Sequence, residues 1–177
     1  MSSISFSRLG IMSAVLMLLI TAGCSSAQVA TGQNAQKNKP YRVQNAHSHN
    51  DYEQPHFFSA AYQAGFGSME ADIFLVDGDL LVAHNKRDIS QQRSLAAMYL
   101  STLAAMVKVN KGYPYKSHKA QLELLIDLKD PKDSPAYKKA VALTLSYKAL
   151  ANSKNLRITF TGNIPSDSVM AVAKGLI

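Results

Sequence analysis

Residues 68–84 read Ser68-Met-Glu-Ala-Asp-Ile-Phe-Leu-Val-Asp-Gly-Asp-Leu-Leu-Val-Ala-His84. In the first seven, charged and apolar positions alternate. A strand here puts Glu70 and Asp72 on one face and Met69, Ala71 and Ile73 on the other. Asp77-Gly78 is a hairpin signal, and a short strand over 80–84 follows it. Upstream, 41–46 reads as a first strand, and 53–64 carries Phe57, Phe58, Ala61 and Tyr62 at helical spacing before stopping at Gly65. Downstream, 95–109 is an Ala/Leu/Met-rich helix, and Leu122-Glu-Leu-Leu-Ile-Asp-Leu128 is a buried strand. Ser134 and Pro135 open a helix to about 151, 156–160 is a further strand, and 166–174 a last helix. Strands alternating with helices predict an α/β fold built on a parallel sheet.

Four polar clusters fall at strand ends: His47-Ser-His49-Asn-Asp51, Glu70-Ala-Asp72, His84, and Asp127-Leu-Lys129. Two carboxylates as close as Glu70 and Asp72 repel unless a cation lies between them, and hard oxygen donors suit Mg²⁺ or Ca²⁺. Asp127 ends an otherwise apolar strand, where a bare charge is costly, so it reads as a third ligand of the same cation. Lys129 points the same way and is placed to meet a phosphate oxygen. His47 and His84 each follow a strand and suit a general base and acid near neutral pH. His49, Asn50 and Asp51 are further candidates for lining the site, whereas His56 and His118 read as ordinary hydrogen-bonding residues. Taken singly, each pair reads better as a solvated edge or a local salt bridge; their coincidence on one sheet edge favours a site.

From Ala46 to Lys129 the chain resembles the superfamily of phosphatidylinositol-specific phospholipase C-like phosphodiesterases, which includes the glycerophosphodiester phosphodiesterases. The resemblance rests on His47, Glu70-Ala-Asp72, His84 and Ile126-Asp-Leu-Lys129, in order and spacing. The opening His-Ser-His-Asn-Asp-Tyr52 is most similar to a bacterial and fungal subgroup, and differs from the His-Arg-Gly of the glycerophosphodiesterases proper. What it implies is a TIM-like (β/α)₈ barrel and metal-dependent phosphodiester hydrolysis. The substrate is then a glycerophosphodiester, phospholipid-type diester or lipid head group. Glu70, Asp72 and Asp127 would hold one Mg²⁺ or Ca²⁺, and Lys129 would add a second positive contact. Two alternatives remain: an H-x-H metal-dependent amidohydrolase or phosphoesterase barrel built on His47 and His49, and a lipid-anchored binding protein that is catalytically inactive because the barrel is incomplete.

A complete barrel takes roughly 250 residues. The chain has 177, and 154 once a leader of 23 is removed. The expected architecture is therefore the N-terminal half of a TIM-like barrel over 40–177, open to pairing with a missing half. Arg8, an apolar run to Ile20 and Thr21-Ala-Gly-Cys24 resemble a bacterial lipoprotein signal, with Cys24 as the lipidated residue. A polar tether, 24–39, would link this membrane anchor to the domain. The address implied is the bacterial cell envelope, outer membrane or periplasm, with secretion as the alternative. The single Cys excludes an intramolecular disulfide. Nineteen Lys and Arg against twelve Asp and Glu give a net charge of +7. The lysines are scattered without a nucleic-acid motif, so a solvated basic surface and no nucleic-acid partner are expected.

Overall fold

The computed structural model describes residues 43–168 and 170. The expected leader with Cys24, the tether and most of the expected last helix lie outside these residues. Five strands form one sheet: β1 (His47–Ser48), β2 (Ser68–Val76), β3 (Asp79–Val82), β4 (Leu122–Leu128) and β5 (Leu156–Gly162). The order β1-β2-β4-β5 is parallel throughout, and β3 folds back antiparallel on β2. That reversal is the Asp77-Gly78 turn, whose two residues both take positive φ, 50° and 89°. This is the type I′ geometry that matches strand twist.

The crossovers carry α1 (Ser59–Ala64), α2 (Ser101–Val109), α3 (Ala136–Ser146) and α4 (Lys148–Ala151). Alternation along the strands sorts the faces. Met69, Ala71 and Ile73 of β2 join Leu122, Leu124, Ile126 and Leu128 of β4 in one buried cluster. Ala61, Leu103, Val107, Ala140 and Leu150 reach the same cluster from the helices. Fully burying each Leu, Ile or Val here stabilises the fold by roughly 1.5–3 kcal/mol. The opposite parity, Glu70, Asp72 and Asp127, is thereby left for the polar face. Among the described residues no helix is long and apolar enough to cross a membrane.

The α/β class with a parallel sheet is as the sequence predicts; several boundaries differ. The described part of 41–46 is a turn, closed by Ala46 N–H on Val43 O at 2.9 Å, and pairing starts only at His47. Gln44 explains the shift. Its side-chain amide spans Gly65 O at 2.7 Å and Gln121 N–H at 3.1 Å, tying that turn to two other segments. The helix expected over 53–64 is confined to Ser59–Ala64, behind a 3₁₀ turn at Asp51–Glu53. Asp51 takes the Phe58 N–H at 2.6 Å and holds the intervening residues out of the helix. The helix expected to 151 breaks at Tyr147, whose ψ of 81° is not helical. The helix from 95 forms, with a π turn over Ala96–Leu100.

Candidate functional site

Register builds the site. Asp72 of β2 lies opposite Asp127 of β4, which lies opposite Thr161 of β5. Three adjacent strands thus present polar side chains at one level near their C-terminal ends, where parallel sheets carry ligands. Lys129, two residues beyond Asp127, returns to the same face. Its Nζ lies 2.9 Å from Asp72 Oδ2 and 2.5 Å from Asp127 Oδ2. The Thr161 hydroxyl donates to Asp127 Oδ1 at 2.7 Å. Gly162 makes room: at φ +77°, a Cβ there would stand 2.6 Å from both Asp127 Oδ1 and Leu128 O.

Asp72 is 1% exposed and has a second partner besides Lys129. His84, just beyond β3, places Nδ1 3.0 Å from Asp72 Oδ2. With Nδ1–H donating to the carboxylate, Nε2 is left free to exchange a proton with another molecule. A cavity of about 480 Å³ opens beside His84, lined also by Tyr52, Phe57 and Arg93.

Glu70 belongs to a second group. Its Oε2 accepts the Asn50 N–H at 3.1 Å and lies 3.7 Å from His47 Nε2 and 3.6 Å from His49 Nε2. Asn50 aims its amide there from a left-handed backbone, φ 47°, which Asn tolerates better than most residues. His47 is oriented by Ser68, Nδ1 to Oγ 2.9 Å. A cavity of about 520 Å³ lies beside His47, His49 and His56, floored by Ala60, Ala61 and Phe66.

The structure therefore brings Asp72, Asp127, Lys129 and His84 together, and His47, His49 and Asn50 around Glu70. Asp51, also 1% exposed, ties the fold instead: Ser48 Oγ–H, Phe58 N–H and Tyr99 O–H donate to it at 2.7, 2.6 and 2.9 Å. Lys129, expected to face a phosphate, has its ammonium between Asp72 and Asp127. Among the described residues no three His, Cys, Asp or Glu side chains stand close enough to hold a metal ion. Two observations nevertheless suit a cation. Asp72 Oδ1 is buried without a hydrogen-bond partner. Glu70, Asp72 and Asp127 also carry three negative charges against the single positive charge of Lys129 when the histidines are neutral. These all-oxygen donors match a hard divalent ion.

Sequence reasoning passed over Tyr52, Thr161 and Arg93. Thr161 was findable, because aligning the apolar runs of β4 and β5 sets it beside Asp127. Tyr52 is 2% exposed and donates its hydroxyl to Asn50 Oδ1 at 3.2 Å. Burial first, then the neighbouring Asp72, Glu53 and Glu70, hold that phenol well above its ordinary range. For Lys129, burial alone pulls the ammonium down. Its hydrogen bonds to Asp127 and Asp72, with their charges, outweigh that and leave it above its usual value.

Removing this ammonium strands two carboxylates at close quarters. Lys129→Met is expected to cost about 2–4 kcal/mol, below the largest buried-pair losses because Lys129 is 28% exposed. Urea unfolding at pH 7 checks it, and an unchanged midpoint contradicts the pairing.

A family model described as an AIM6-like phosphodiesterase domain matches residues 38–174. Curated relatives carry the name "Altered inheritance of mitochondria protein 6". The protein from Eremothecium gossypii is 30% identical over 154 residues, covering 71% of this chain and 39% of its own length. That from Lachancea thermotolerans is 35% identical over 121 residues, 61% of this chain and 28% of its own. A homologue from Arthroderma benhamiae is 36% identical over 78 residues, 40% of this chain and 25% of its own. The chain thus spans about two-fifths or less of the length of these relatives. No solved structure matches. The relatives are fungal, which overturns the expected bacterial cell-envelope address and points to a eukaryotic protein. The leader motif behind that expectation is a short local pattern; the fungal similarity extends over much of the domain.

Proposed function

This chain belongs to the AIM6-like phosphodiesterase domain family, and on that premise we propose that it is a metal-dependent phosphoric diester hydrolase of the phospholipase C-like superfamily. Its substrate is a glycerophosphodiester or a phospholipid-type diester. The observation that carries this reading is the Asp72–His84 pair, which leaves a free imidazole nitrogen at the mouth of a cavity beside a lysine–dicarboxylate cluster.

In this reading His47, oriented by Ser68, takes the proton of the attacking hydroxyl, from water or from a neighbouring group on the substrate. As the new P–O bond forms and the ester bond breaks, His84 gives its proton to the departing alkoxide. The two roles exchange if substrate binds in the opposite sense. Lys129 supplies fixed positive charge beside the phosphate, where preorganised charge lowers the barrier most. For Glu70, Asp72 and Asp127 to hold one Mg²⁺ or Ca²⁺, Glu70 would turn from His47 and His49 toward Asp72, and the Lys129 ammonium would leave the two carboxylates for the phosphate; the ion would neutralise charge developing there. The strand order supports the N-terminal half of a TIM-like barrel. Parallel strands advance in one direction, and the helices' buried side chains join the strands' in one core cluster.

The test is hydrolysis of bis(p-nitrophenyl) phosphate by the full chain with Mg²⁺, Ca²⁺, Mn²⁺ or EDTA, beside His47→Ala and Asp127→Ala. Turnover that needs Mg²⁺ or Ca²⁺ and disappears in both variants is expected. Turnover indifferent to EDTA overturns the metal dependence. A preference for zinc or manganese favours a metal pair on His47 and His49, which already converge on Glu70. A folded chain without turnover removes the hydrolase reading.

A further inference from the structure

The charges are sorted along the strand axis. Residues 101–121 and 134–166 contain no Asp or Glu, yet hold Lys108, Lys111, Lys116, Lys119, Lys138, Lys139, Lys148, Lys154 and Arg157. Several of these gather at the N-terminal end of the sheet, opposite the candidate site. The segment 110–121 leads into the start of β4, and 152–155 leads into the start of β5. Hydrogen bonds fasten the two loops together. Lys154 N–H and the Ser153 hydroxyl both donate to Gly112 O, at 2.8 and 3.1 Å, and Asn155 Nδ2 donates to His118 O at 2.7 Å. Lys108, Lys111, Lys116, Lys119 and Lys154 are all exposed. The carboxylate at this end among the described residues is Glu123, which accepts the Thr159 hydroxyl at 2.6 Å.

One apolar side chain stands among these lysines: Val109, between Lys108 and Lys111, is 71% exposed. We propose that this basic end of the domain, Lys108, Lys111, Lys116, Lys119 and Lys154 around Val109, docks on an anionic lipid surface. Charge complementarity selects an anionic partner, since each lysine near such a surface strengthens binding about fivefold. The aromatic chemistry selects lipid over nucleic acid. Tyr113 is already stacked on His118, ring centroids 3.9 Å apart and planes 8° apart, with Lys154 5.7 Å over its ring. It is not offered to a base, whereas single-strand recognition uses free aromatic platforms. The exposed valine suits shallow contact with the bilayer interface. Docked this way, the domain holds His84 and Lys129 at its water-facing end, an orientation that suits a water-soluble glycerophosphodiester rather than a phospholipid of the bound surface.

Sedimentation of the full chain with vesicles tests the docking without reference to hydrolysis. One set is phosphatidylcholine, the other phosphatidylcholine with about a third phosphatidylserine. The readout is the preference for the anionic vesicles over the neutral ones. The wild type is expected to prefer them by on the order of a hundredfold and to lose most of that preference at about 0.5 M salt. Joint Lys111→Glu, Lys116→Glu, Lys119→Glu and Lys154→Glu substitution is expected to abolish the preference. Lys132→Glu with Lys138→Glu and Lys139→Glu, at the other end of the sheet, is expected to leave most of it. A wild type without preference overturns the proposal. So does a four-lysine variant that keeps it with an unchanged circular dichroism spectrum, or a loss equal in both variants. Binding of a single-stranded RNA by the same lysines, with vesicles ignored, assigns the surface to nucleic acid and also overturns it.

Discussion

His84→Ala is expected to lower phosphodiester turnover by about 10²–10⁴-fold while leaving the domain nearly as stable as before. The two expectations come from one geometry. The His84 side chain is 46% exposed, and its contact is the single hydrogen bond to Asp72. Removing it leaves Asp72 Oδ2 still paired with Lys129 at 2.9 Å, so no buried charge is stranded. The urea midpoint should then move by less than about 1 kcal/mol, the usual worth of an exposed pair. The loss should appear in kcat, because the proton reaches the leaving group only in the transition state. Lys129→Met behaves differently, lowering stability and turnover together. A His84→Ala chain that unfolds early, or that turns over at the wild-type rate, contradicts the assignment of a proton donor to His84.

Above about pH 10 the domain loses stability steeply. Tyr99, Tyr52 and Tyr115 are buried, and burial is the first cause raising each phenol above its ordinary value. Asp51, which accepts the Tyr99 hydroxyl, adds to the rise at Tyr99, and Tyr62 adds to it at Tyr115. The folded state keeps these protons where the unfolded chain releases them. Stability is therefore fully present below the unfolded value near 10 and falls as pH rises beyond it. Each such group costs about 1.4 kcal/mol per pH unit once the unfolded phenol is ionised, so the three together cost roughly 4 kcal/mol per unit. Lys129 acts in the same direction, because its ammonium is also held above its usual value. Denaturant melts at pH 8, 10 and 11 check this. A flat profile across that range contradicts the burial of the phenols, and Tyr99→Phe should make the slope shallower.

Much of the site was legible because strand alternation is a local property. Glu70 and Asp72 share a face for the same reason that Met69 and Ile73 share the other, and Asp77-Gly78 declares its turn by residue type. The start of the domain was misread for want of distant partners. Residues 53–58 carry helical spacing, yet Asp51 reaches the Phe58 N–H and Tyr99, 48 positions along the chain, and holds them out of the helix. The first strand moved because Gln44 binds Gly65 and Gln121, 21 and 77 positions away.

Sequence by itself determined the α/β alternation, the face on which each charged residue stands, and the surplus of lysine in two acid-free stretches. Tertiary structure alone decided which charges meet. Parallel strands are joined by long crossovers, so which strands become neighbours, and the register of β2 against β4, are set by how the intervening segments pack. That register puts Asp72 beside Asp127 and Asp127 beside Thr161, and so places the Lys129 ammonium between two carboxylates. Glu70, two residues earlier on the same face, lies with His47 and His49 instead.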